Sequence, residues 1–155
     1  MKKKNIFLKI TLCLMIIILL TGCKNKKAIN SNDFKEKATS NNYIVSDITS
    51  QFEKSKIVEN AVTANKLGAW VVEFYTLKND SNAKYMFNYN KEKASSEKAN
   101  NSKETSSSSG NFSTYSLTNN GYYIYICKVD NTLLYTKVNE QYKDEVNKFI
   151  QELGY

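Results

Sequence analysis

The hydropathy pattern along the chain begins with one compact apolar block. Ile10 to Leu20 is interrupted only by Thr11 and Cys13, and it follows a lysine-rich start, Met1-Lys2-Lys3-Lys4-Asn5. As a helix these eleven residues span roughly 16 Å, about half the hydrocarbon core of a bilayer. That length, with those flanks, fits the apolar region of a signal peptide better than a membrane span. A polar stretch, Asn25 to Asn32, follows and reads as a short flexible tether.

From Asp33 to Tyr155 the pattern is that of one small domain. Asp33-Phe34-Lys35-Glu36 has capping-box spacing, with Phe34 and Ala38 on one helical face and Asn41-Asn42 as the stop. Tyr43 to Thr49 reads as a strand. Ile57 to Ala64 fits either a strand or one face of a helix; a strand is preferred because Asn65-Lys66-Leu67-Gly68 then forms a hairpin connection. Ala69 to Leu77 is apolar on both faces, as a central strand would be. Asn79-Asp80-Ser81 caps a second helix whose stripe is Ala83, Met86, Phe87 and Ala94. Ser95 to Asn111 is rich in Ser, Asn and Lys, buries almost nothing and predicts a disordered loop at about 95–111.

Phe112 to Thr118 and Tyr122 to Val129 flank Asn119-Asn120-Gly121, a hairpin signal, and Leu133 to Val138 adds a further strand. Tyr142, Val146, Phe149, Ile150 and Leu153 make one continuous stripe, which predicts a final helix closed by Gly154. The expected class is therefore α+β, in the order α-β-β-β-α-β-β(-β)-α. Its expected architecture is an antiparallel sheet with helices packed on one face.

Leu20-Thr21-Gly22-Cys23 stands directly after the apolar block and is followed by Lys24-Asn25-Lys26-Lys27. This stretch resembles a bacterial lipoprotein signal peptide, in which Leu, two small residues and a Cys form the lipobox. The resemblance implies that residues 1–22 are a cleaved leader and that Leu20, Thr21 and Gly22 are read by the signal peptidase. It also implies that Cys23 carries a diacylglycerol, the membrane partner, with residues 23–32 as anchor and tether and 33–155 as the domain. Two acyl chains hold a protein stably on a bilayer where one does not. The abundance of Lys, Asn, Ile and Tyr, with no His, Arg or Pro, resembles small surface lipoproteins of low-GC Gram-positive, clostridial-type bacteria. That likeness implies a position on the extracytoplasmic face of the plasma membrane and carries no activity with it.

Charge changes the picture once the leader is set aside. The formal balance of +7 is carried by the leader and tether, because Asp33 to Tyr155 holds 15 Lys against 15 Asp plus Glu. Without Arg the domain lacks the bidentate fork that reads phosphate and guanine, so no nucleic-acid partner is expected. Juxtamembrane Lys24, Lys26 and Lys27 suit anionic headgroups. Of three Cys, Cys13 leaves with the leader and Cys23 is acylated, which leaves Cys127 alone in a strand as a small buried hydrophobe.

Catalytic chemistry finds few candidates. The chain has no His for a triad or a metal site, and no Gly-rich phosphate loop. Ser81-Asn82-Ala83-Lys84 and Ser95-Ser96-Glu97-Lys98 match Ser-x-x-Lys by spacing alone, without the partner motifs that dyad enzymes require. Asp47, Glu59, Glu73 and Asp130 are scattered carboxylates, of which Glu73, inside an apolar strand, is the most interesting. No cofactor or metal is expected. The 11 Tyr are the compositional excess, and Tyr115, Tyr122, Tyr123, Tyr125 and Tyr135 gather around the second hairpin as a possible surface for a ligand or partner. The expected function is a non-catalytic binding or accessory module of the cell envelope, engaging an envelope protein or a cell-wall polymer. An immunity or protective lipoprotein is the first alternative, and a carboxylate-dependent envelope hydrolase the second.

Overall fold

The computed structural model describes residues 25–155; the leader, Leu20, Thr21, Gly22 and Cys23 lie outside the described residues. Helix α1 (Ser31–Ser40) leads into strand β1 (Ile44–Asp47) and a 3₁₀ turn at Thr49–Phe52. Strands β2 (Val58–Lys66) and β3 (Trp70–Leu77) form a hairpin, followed by helix α2 (Asp80–Ser96). Strands β4 (Lys103–Ser109), β5 (Phe112–Asn119), β6 (Tyr122–Val129) and β7 (Thr132–Asn139) form a meander that ends in helix α3 (Lys143–Glu152). All seven strands make one antiparallel sheet in the order β1-β2-β3-β7-β6-β5-β4. The α+β class and the order of elements read from the sequence hold.

The sheet is covered on both sides. On one face α1 and α3 supply Phe34, Ala38, Val146, Phe149, Ile150 and Leu153 against Trp70, Val72, Phe74, Leu134 and Val138. On the other, α2 supplies Ala83, Phe87 and Ala94 against Tyr75, Leu77, Tyr115, Leu117, Ile124, Ile126 and Leu133. The helices thus lie on both faces, where the sequence led to one. The reason is the two-sided burial of β3, β6 and β7: side chains alternate along a strand, so each strand delivers apolar groups to both faces and each face needs a cover.

The local signals act as expected, with small shifts. Helix α1 starts three residues early: Asn30, not Asp33, is its N-cap. The Asn30 side chain accepts from Asp33 N–H at 2.9 Å, and Asp33 in turn accepts from Asn30 N–H at 3.3 Å. Asn120 and Gly121 both take positive φ, 50° and 78°, which a tight hairpin turn between β5 and β6 requires. The ambiguous segment 57–64 is strand β2 and carries a bulge between Val58 and Asn60.

Two corrections concern segments read as unstructured. Helix α2 runs to Ser96, and β4 occupies Lys103–Ser109, paired with β5 along its full length. Every β4 side chain but Ser109 is exposed, so its order comes from backbone hydrogen bonding at a sheet edge and leaves no apolar pattern in the sequence. Residues 25–30 are docked as well. Lys26 N–H donates to Asn111 Oδ1 at 3.0 Å, and Asn111 Nδ2 donates back to the Lys26 carbonyl at 2.8 Å. Ala28 and Ile29 pack against the α1/α3 side of the core.

Phe149 is the centre of the aromatic packing on that side. It lies 6.0 Å from Phe34, 5.0 Å from Tyr43 and 5.9 Å from Trp70, measured between ring centroids. Phe149→Ala is expected to cost about 3–5 kcal/mol, read as a lowered urea midpoint. Ser107→Ala on the exposed edge is expected to stay within about 0.5 kcal/mol of the parent. Equal costs for the two would contradict the assigned burial.

Candidate functional site

Sheet alternation divides the five tyrosines of the second hairpin. Tyr115, Tyr122 and Tyr135 stand on the α2 face, while Tyr123 and Tyr125 stand on the α1/α3 face. They do not form one surface, because Tyr123 is the next residue after Tyr122 and Tyr125 is one position from Ile126; neighbours in a strand point to opposite sides. Tyr115 is completely buried, Tyr123 is 4% exposed, and Tyr122 is half exposed at 51%. Tyr123 donates its hydroxyl to Asn147 Oδ1 at 2.9 Å and stacks beside Tyr125, so both serve packing.

Tyr122 and Tyr135 do meet a common groove. Its floor is Ile124 and Tyr135, and its wall is the last turns of α2. A cleft of about 140 Å³ is lined by Asn90, Lys93, Ala94, Glu97, Ile124, Tyr135 and Lys137. A second of about 230 Å³ continues it past Tyr122 to the Asn119-Asn120 turn and shares Glu97, Ile124 and Lys137 with the first. Where they join, Lys137 Nζ sits 3.1 Å from Glu97 Oε2 and 5.8 Å from the centroid of the Tyr122 ring.

The wall is held by Asn119. Its Nδ2 donates to the Glu97 carbonyl at 2.8 Å, while its Oδ1 accepts from Ala99 N–H at 3.1 Å and from Ser102 Oγ at 2.8 Å. One side chain therefore fixes the end of α2 to the β5–β6 turn and sets the width of the groove. Beside the floor, Glu73 faces Tyr135 in register across β3 and β7 and accepts the Tyr75 hydroxyl at 2.5 Å. Burial raises the Tyr75 and Tyr135 phenols above their ordinary range, and the Glu73 carboxylate adds to it in both. The arrangement offers an aromatic ring, one ammonium, one carboxylate and several amides. A set of this kind can stack against and hydrogen-bond hydroxylated or peptide-like groups.

The four carboxylates singled out in the sequence occupy four separate places. Asp47 ends β1 and is held at about 2 by the Thr49 hydrogen bond and by Lys35. Glu59 is exposed on the β2 bulge, Glu73 is beside Tyr75, and Asp130 accepts from Asn111 at 2.9 Å. Among the described residues no group of three or more metal-ligating side chains is gathered, and no helix is long and apolar enough to cross a membrane. Cys127 is buried, and burial pushes its thiol up to about 11, away from a reactive thiolate.

Sequence reasoning missed Glu97, Lys93 and Lys137. The first lies where a loop was expected. Lys137 was legible, because it is two positions from Tyr135 on β7 and so shares its face. A second aromatic surface was missed too: Tyr85 and Tyr89, exposed on α2 with centroids 6.5 Å apart, flank an apolar cleft of about 260 Å³ with Phe52, Ile57, Val58 and Met86.

No protein-family model, curated protein or solved structure matches the chain. The groove is therefore read from its own geometry.

The buried phenols set a pH dependence. Tyr75, Tyr115, Tyr123 and Tyr155 are buried and all raised, in each case chiefly by burial. A group whose folded pKa is raised contributes stability that is complete below its unfolded pKa of about 10 and is lost as pH rises beyond it. Phenolate absorbance from these residues is expected only together with loss of the far-UV signal. Full tyrosine ionisation with the fold intact would contradict their burial.

Proposed function

We propose that the protein is a lipoprotein anchored through Cys23 on the extracytoplasmic face of the plasma membrane. Its domain is a non-catalytic binding or accessory module of the cell envelope. The observation that carries the binding reading is the groove at the end of α2, where exposed Tyr122 and Lys137 flank the junction of two clefts. Tyr and Lys side by side present an apolar ring face and a mobile donor, the pairing that suits a sugar polymer or an extended peptide. The anchoring reading rests on Leu20-Thr21-Gly22-Cys23 and the apolar block before it. Partners of this module are an envelope protein or a cell-wall polymer; no nucleic-acid partner is proposed.

The groove is small, so its affinity would depend on few contacts. A handful of residues dominates most interfaces, and aromatic anchors are prominent among them. The acylated protein, recovered from membranes, is expected to retain a specific envelope component in a pull-down. Tyr122→Ala combined with Lys137→Ala is expected to weaken that retention by about tenfold or more. Retention unchanged by the double substitution removes the groove from the account. Cys23→Ser is expected to shift the protein from the membrane fraction to the medium, and mass spectrometry of the wild type is expected to show two acyl chains on Cys23. A Cys23→Ser protein that stays with the membrane would end the lipoprotein reading.

A further inference from the structure

We infer that the end of the sheet carrying the β4–β5 and β6–β7 turns faces the lipid, so that the domain is held in one orientation. The inference rests on the anchoring at Cys23 proposed above.

Its support is the docked segment before α1. Asn111 grips Lys26 through both backbone groups, at 3.0 and 2.8 Å, and is itself tied to Asp130 Oδ1 at 2.9 Å. Lys26 Nζ lies 5.3 Å from the centroid of Phe112. A Cβ on Gly110 would stand 2.3 Å from Asn25 Oδ1, so Asn25 lies directly against the β4–β5 turn. The chain therefore enters the domain at one fixed point. Cys23 is two residues before Asn25, a reach of at most about 7 Å. Acyl chains on Cys23 would therefore bring the bilayer surface to this end of the sheet.

Lys27, Lys56 and Lys78 are exposed at this end and none of them is in an ion pair among the described residues, but Asp33, Glu59 and Asp130 lie there too, so the surface is mixed in charge and its placement rests on where the chain enters.

This orientation has a consequence for the groove. Strand β6 runs from Val129 near the anchored end to Tyr122 at the groove. Seven steps at about 3.4 Å set Tyr122 roughly 24 Å from that end, facing away from the lipid.

The test uses the full acylated protein in vesicles of phosphatidylcholine and phosphatidylglycerol whose headgroups carry a nitroxide quencher. Lys78→Cys and Asn120→Cys are each labelled with one fluorophore; Cys127 is buried and does not compete. The label at position 78 is expected to be quenched several-fold more than the label at 120. Asn111→Ala, which frees Lys26, is expected to reduce the difference between the two signals, while Ala28 and Ile29 stay packed at that end. Equal quenching at both positions in the parent, or a contrast undiminished by Asn111→Ala, overturns the inference. A protein that does not float with the vesicles, or whose Cys23 is unmodified, overturns instead the anchoring reading on which it rests.

Discussion

The architecture follows from strands that are apolar on both faces. In β3, Trp70, Val72 and Phe74 point one way while Tyr75 and Leu77 point the other, and all five are buried. In β7, Leu134 and Val138 oppose Leu133. At roughly 25 cal/mol for each Å² of apolar surface, neither face can be left in water. The chain solves this with its connections. Helices α1 and α3 precede and follow the strands and close one face. Helix α2 links β3, near the sheet centre, to β4 at the far edge, and so must cross the other face over β7, β6 and β5. The groove lies where that crossing ends, because α2 stops over β6 and leaves Tyr122 and Lys137 uncovered beside its last turn.

Much of this was legible in the sequence. Asn-Gly at 120–121, Asn79 before α2 and the stripe of Val146, Phe149, Ile150 and Leu153 each act locally, through a positive φ, a capped N–H or a buried face, and need no tertiary information. The distribution of helices over both faces was not reached, although two-sided burial was visible in Ala69 to Leu77. A pattern says that both faces are covered and does not say by what. Strand β4 was illegible for another reason. Lys103 to Ser109 buries no large side chain, so its pairing with β5 is a property of the backbone that leaves no trace in hydropathy. Docking of residues 25–30 depends on Asn111, some 85 positions away, and no short-range rule connects the two.

The site was legible only in part. Clustering tyrosines by sequence distance treated the hairpin as one surface, whereas alternation sends Tyr122 and Tyr123 to opposite sides of the sheet. Tyr115, with the largest fully buried side chain, belongs to the core, and burial together with the nearby Glu104 carboxylate raises its phenol to about 12. What makes a groove of Tyr122 and Tyr135 is the passing helix and the long-range bonds of Asn119 to residues 97–102. Such bonds combine residues from different elements and become visible only in three dimensions.

The two ends of the sheet are held together by different physics. At the Asn111 end the bonds are between side chains and backbone, and Lys128, 7% exposed, is pinned between Asp80 and the Asn111 carbonyl. Breaking these would leave a buried ammonium and buried amides unpaired, which is costly. At the groove the fastenings other than Asn119 are exposed ion pairs: the side chains of Lys137 and Glu97 are 42% and 47% exposed. Pairs of that kind are worth about 0–1 kcal/mol. An incoming hydroxyl or carboxylate could therefore take Lys137 from Glu97 at little cost, while Asn119 keeps the wall in place. The domain is thus stiff where residues 25–30 enter it and more compliant where its aromatic groove opens.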